Sequence, residues 1–136
     1  MKIVLDTNAF LVAIPPKSQY RTIFDALLQK KFSLAYSNEI LLEYEEILKR
    51  KANPIVVANA LELLSAMSNI EKVEVYFNWN LIEIDLDDNK FVDCAIAANA
   101  DYIVTNDKHF NILKTIDFPF VRVISIAEFK EIIENM

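Results

Sequence analysis

Glycine is missing altogether from the 136 residues, where about 7% is usual. Its absence removes several function classes at once. There is no Walker A loop, no G-x-G-x-x-G dinucleotide turn and no G-x-S-x-G elbow. Any ligand site is therefore built from side chains. Cysteine and histidine are nearly absent too, with Cys94 and His109 the single examples. One cysteine excludes an intrachain disulfide, and the pair excludes a structural zinc cluster. Long apolar runs are lacking: Lys2–Leu5 and Tyr102–Val104 are typical, far below the ~20 residues of a membrane span. The N-terminus has one lysine and reaches Asp6 after three apolar residues, so no signal peptide is expected. These absences predict a cytoplasmic protein with no membrane association.

Positive charge is also short, and the formal net charge is −6. Phosphate contact usually wants a basic surface. Acids gathered around a cation are the other reading, since bound metal offsets part of their charge. Net charge alone does not choose between the two.

What the chain does have is enough apolar residue, 54%, for a real core. The length predicts one domain over residues 1–136. Lys2–Leu5 reads as a buried strand ending at Asp6-Thr7-Asn8, and Pro15-Pro16 interrupts the chain soon after. Gln19–Lys31 reads as a helix with Ile23, Phe24, Leu27 and Leu28 on one face. Phe32–Tyr36 is a second strand. Ser37 or Asn38 caps a helix running to about Lys51, and Asn53-Pro54 opens another to about Ser68. Val73–Val75 and Leu81–Ile84 are candidate strands. Asp88 is placed to cap a helix over Asn89–Asn99. Tyr102–Thr105 and Val121–Ile124 are further strands, and Ser125 caps a last helix. Alternation of this kind predicts an α/β fold with a parallel sheet covered on both faces. The segment 52–80 is least tied to the pattern and reads as a helical protrusion.

In open α/β sheets, ligands bind beyond the carboxyl ends of the strands. Asp6 directly follows the first strand, and Asp107 follows Tyr102–Thr105 by two residues. Glu43 and Asp93 fall in the second turns of their helices. All four can meet at one sheet edge, where crowded carboxylates call for a cation. Oxygen-only ligands suit Mg²⁺ or Mn²⁺. Each acid also has a plainer reading. Asp6 and Asp107 can be caps or turn residues, and Glu43 sits at the border of a core face (Ile40, Leu41, Tyr44, Ile47, Leu48). Asp93 lies in Phe91–Ala98, apolar or small nearly all round, and a buried carboxylate needs a partner. Asp87 and Asp88 suit the start of their helix; Asp88 is in reach as a reserve ligand. His109 reads as a loop histidine. Tyr76 and Trp79 read as core or protomer contacts, with base stacking the sharper alternative. Lys49-Arg50-Lys51 and Lys30-Lys31 suit helix C-terminal dipoles, with phosphate contact as their alternative.

Taken in order, Leu5-Asp6-Thr7-Asn8, Ser37-x5-Glu43, Asp88-x4-Asp93-x3-Ala97-Ala98 and Ala100–Asp107 resemble the PIN domain family over essentially the whole chain. The likeness is greatest to the branch described as toxin components of toxin–antitoxin systems. It implies a Rossmann-like, three-layer fold with a central parallel sheet of about five strands. It implies a Mg²⁺- or Mn²⁺-dependent endoribonuclease, with Asp6, Glu43, Asp93 and Asp107 as the family's four acids. Thr105 matches the polar residue before the last acid and Asn8 the asparagine after the first. Asn106 and Ala98-Asn99-Ala100 depart from the family pattern, which often has glycine there. The resemblance further implies an RNA substrate, a cognate antitoxin and a homodimer. A phosphatase with an aspartyl nucleophile would want a second Asp where Asn8 stands. The rival outside enzymology is a PIN-like module that binds RNA or a partner without cutting.

Overall fold

The computed structural model describes residues 1–136. Strand β1 is Lys2–Leu5, an apolar run whose Ile3, Val4 and Leu5 are fully buried. It is followed without a break by helix α1, Thr7–Ala13, and after the Pro15-Pro16 interruption by α2, Arg21–Leu28. Strand β2 is Ser33–Tyr36. Ser37 then caps α3, Asn38–Lys51, by accepting from the Ile40 N–H. Asn53 caps α4, Pro54–Ala66, with proline at the first turn, where its missing N–H costs nothing. Strand β3 is Ile70–Lys72. A 3₁₀ turn, Leu86–Asp88, leads into α5, Asn89–Ala98. Strand β4, Tyr102–Val104, a 3₁₀ stretch over Lys108–Thr115, strand β5, Val123–Ile124, and α6, Ile126–Glu134, complete the chain.

The five strands form one all-parallel sheet in the order β3-β2-β1-β4-β5. Helices flank it. The buried helix α5 packs on β1, β2 and β4, α2 packs on α6, and α1 and α4 pack on α3. Phe10 stacks on Tyr44 at 4.3 Å between centroids, joining α1 to α3. The Tyr44 hydroxyl donates to the Leu5 carbonyl and pins α3 to the end of β1. Strand order reverses between β1 and β4, so the crevice for a ligand lies beyond the ends of those two strands.

Three elements differ from expectation. The third strand is Ile70–Lys72, not Val73–Val75, although the Val73 N–H still reaches the Tyr36 carbonyl at 2.7 Å. Leu81–Ile84 is not a strand. Both backbone groups of Ile82 are held by the Asn89 side chain, at 2.9 and 2.8 Å, leaving none there for a ladder. The segment 52–80 is only half a helical excursion, since its end supplies the edge strand. Three non-glycine residues take the left-handed conformation: Lys30 just past α2, Asn80, and Asn99 at the end of α5, with φ of 59°, 53° and 53°. No helix is long and apolar enough to cross a membrane.

Candidate functional site

The strand ends at the β1/β4 crevice carry Asp6 and Thr105. Leu5 and Val104 are paired neighbours, so the next residue of each strand falls side by side. Asp6 is buried, and each of its oxygens has a donor. Oδ1 accepts from the Ala9 N–H at 2.7 Å, which caps α1, and Oδ2 accepts from the Thr105 hydroxyl. The capping role and the cleft position are therefore the same carboxylate. Burial pushes the Asp6 carboxyl above its ordinary range, against the two hydrogen bonds, and the charges of Asp107 and Asp88 push it further.

Asp107 follows Thr105 on the exposed side. Its own N–H donates to the Thr105 hydroxyl oxygen at 3.0 Å, and its carboxylate accepts from the His109 N–H at 2.9 Å. Asp88 comes from the turn before α5. It makes no capping bond; Asp85 caps that turn instead. The Asp88 carboxylate lies 3.0 Å from His109 Nδ1, and Asp107 lies 3.6 Å from the same nitrogen. Burial raises Asp88, opposed by His109 and aided by Asp107 and Asp85, while hydrogen bonding to Asp88 raises His109. Asp85, Asp88 and His109 have ligand-type atoms within 4.8 Å of one another.

The other two acids have partners of their own. Asp93 is buried on α5, and its carboxylate accepts from the Trp79 N–H at 3.0 Å. Burial raises its carboxyl and the Glu39 charge adds to that. Asp93 lines a cleft with Glu39, Asn78 and Lys90. Glu43 is half-buried on α3 and bridges two other helices: Lys90 of α5 reaches one oxygen at 2.6 Å, and the Thr7 hydroxyl of α1 donates to the other. Asn8 is exposed and turned away. It lines a groove of about 710 Å³ between α1, α2 and α4 that also holds Arg21 and Lys51.

The crevice thus brings together Asp6, Thr105, Asp107 and Asp88; Glu43 reaches only Thr7, the residue after Asp6, Asp93 stands in a cleft with Glu39, Asn78 and Lys90, and Asn8 lies outside. Sequence reasoning missed His109 and Lys90. The signal for His109 was its place two residues after Asp107. The signal for Lys90 was a lysine in the first turn of a helix, where the dipole disfavours it.

Comparison with known proteins gives two findings. The family model described as PIN domain matches residues 2–109. Among solved structures, a chain in the crystal structure of VapBC2 from Rickettsia felis bound to a DNA fragment from their promoter superposes with a TM-score of 0.59. It is 23% identical, over 92% of this chain and 98% of that one. No curated protein matches the sequence.

Proposed function

Since the chain belongs to the PIN domain family, we propose that it is a metal-dependent ribonuclease that hydrolyses RNA phosphodiesters as the toxin of a toxin–antitoxin pair. One observation carries the reading. Asp6, at the strand-order reversal, is buried and pressed by the charges of Asp107 and Asp88, with no side-chain cation in hydrogen-bond contact. Crowded anions of this kind are relieved by a divalent cation, and an all-oxygen set suits Mg²⁺ or Mn²⁺.

Asp6 and Asp107 form the centre of the proposed site, with Asp88 next to them. Asp93 completes it from α5, directly or through water, and Glu43 from α3. When bound, the ion supplies a polarised phosphoryl oxygen and a more acidic water. The protein's own part is positional. Thr105 holds Asp6 and Asp107 in register, and His109 holds Asp88 against Asp107. No protein nucleophile is required. The toxin assignment draws on the fold shared with the VapBC2 structure; a cognate antitoxin, a homodimer, one domain over residues 1–136 and a cytoplasmic setting are further parts of the same proposal. Purified protein should cleave single-stranded RNA in Mg²⁺ or Mn²⁺ and stop in EDTA. Equal cleavage in EDTA would sink the metal reading. Binding of RNA without cleavage in either metal would favour the non-cutting module.

A further inference from the structure

A chain of net charge −6 repels a polyanion such as RNA unless cations stand where its phosphates lie. Lys2, Arg21, Lys49, Arg50, Lys90 and Lys130 each pair with a carboxylate. Lys108 and Lys114 pair with none. Both are exposed, and both line a cavity of about 180 Å³ between the 3₁₀ stretch Lys108–Thr115, β5 and the first turn of α6. Thr105 and Asp107 line the same cavity, so it adjoins the proposed metal site. Asn106 turns its carbonyl oxygen to the Ile126 N–H at 3.0 Å, which leaves its amide nitrogen, a donor, without a protein partner. Glu128 lines the cavity too, but its carboxylate accepts from the Ser125 N–H at 2.9 Å and pairs with neither lysine. Lys114 stands in the last turn of the 3₁₀ stretch, where a positive charge suits the dipole, and Lys108 in the first, where it does not. Helix preference thus accounts for one of the two lysines only.

We propose that this cavity is a phosphate subsite for single-stranded RNA: Lys108 and Lys114 hold the phosphodiester next to the one being cut, and the Asn106 amide is a further donor to it. The proposal rests on the RNA-cutting reading of the crevice and deepens it. The divalent ion neutralises the scissile phosphate, and the two lysines neutralise its neighbour. An acidic chain can then take a polyanion at one edge of the sheet without a basic surface elsewhere. Lys108 and Lys114 are positioning residues, since they touch the substrate away from the reacting atoms. Phosphate contacts of this kind read no bases, so the subsite fixes where the strand lies and leaves sequence preference to other residues.

The test is fluorescence anisotropy of a labelled single-stranded RNA of mixed sequence, titrated with the full chain in EDTA over a range of salt. Lys108→Gln with Lys114→Gln should weaken binding by on the order of tenfold, and the slope of log K against log salt should shrink by about 0.7 for each lysine removed. Lys108→Arg with Lys114→Arg should keep both. Lys31→Gln removes an equal charge just before β2, at the opposite end of the sheet, and should change neither. In Mn²⁺ the glutamine pair should raise KM by a similar factor and leave kcat within about twofold, as expected when binding common to ground and transition states is lost. Micromolar binding of inorganic phosphate that the glutamine pair abolishes, with RNA affinity unchanged, would make the cavity a free-anion site and overturn the proposal. So would equal losses from Lys31→Gln and Lys114→Gln, because charge would then count wherever it stands. Wild-type affinity and salt slope in the glutamine pair, with RNA still cut in Mn²⁺, overturn this inference alone. A folded wild type that neither binds nor cuts RNA overturns the nuclease reading with it.

Discussion

Asp6 does two jobs with one carboxylate, and they separate under substitution. Asp6→Asn keeps an oxygen for the Ala9 N–H, and asparagine caps a helix as well as aspartate. It removes one of the crowded charges. RNA cleavage should fall by on the order of 10²-fold or more, while the metal-free protein unfolds no earlier than wild type. Wild-type cleavage by Asp6→Asn, once contaminating nuclease is excluded, would leave Asp6 as a cap and nothing else. The same crowding sets a pH dependence. Asp6, Asp88 and Asp93 are each held above the ordinary 3.8, chiefly by burial. A raised folded value means that the native chain binds the proton more tightly than the unfolded one. Their contribution is most favourable below 3.8 and is lost as pH rises through the raised values. His109, raised from 6.5 by Asp88, acts in the same direction, its contribution lost as pH rises through its folded value. In EDTA the Tm should therefore climb as pH falls from above 6.5 toward 3.8, and Mg²⁺ should flatten the trend by replacing the protons. A metal-free Tm that drops over that interval would show that the carboxylates are not under strain.

Helices with a cap and a continuous apolar face were legible from the residues alone. Ser37, Asn53 and Ser125 each cap the helix expected of them, and Ser125 and Glu128 form a reciprocal capping box. The strands β1 and β4 were legible as short runs of buried aliphatics, which fixed Asp6 and Asp107 at the sheet edge. Leu81–Ile84 misled because Leu81, Ile82 and Ile84 have the composition of a strand. What decides their conformation is the side-chain amide of Asn89, from the next helix, which no periodicity reveals. The place of Asp88 was hidden for a related reason. It depends on how the turn before α5 meets the loop after β4, and His109 supplies the contact. Asn89 is thus the hinge pin of the segment that delivers Trp79 to Asp93. Asn89→Ala leaves a buried N–H and a buried carbonyl of Ile82 unpaired, at a cost of about 2–4 kcal/mol. Urea unfolding should show a lower midpoint. A midpoint equal to wild type would mean that the segment is held by other contacts.

At the scale of the whole molecule, two exposed rings meet through a half-buried one. Phe77 meets Trp79 at 4.7 Å and Trp79 meets Phe118 at 6.2 Å between centroids, with Phe118 84% exposed. Single exposed apolar residues are ordinary, but a contiguous group fits a contact with another chain. Light scattering at micromolar concentration should give twice the 15.7 kDa chain mass, and Phe118→Asp should shift it toward the monomer with the circular dichroism unchanged. A monomer mass for wild type would count against pairing. The left-handed turns have a consequence of another kind. Because Lys30, Asn80 and Asn99 take conformations usually left to glycine, the disordered chain has nowhere along its length the extra backbone freedom that glycine brings. Folding then forfeits less entropy, by about 0.4–1 kcal/mol for each glycine that a compatible residue replaces. The opposing cost is concentrated at Lys30, since asparagine tolerates the left-handed region and lysine pays roughly 1–2 kcal/mol for it. Lys30→Gly exchanges that strain for a looser denatured ensemble, two effects of similar size, so its Tm should barely move. Asn99→Ala keeps the stiffness and loses the tolerance, so its Tm should fall.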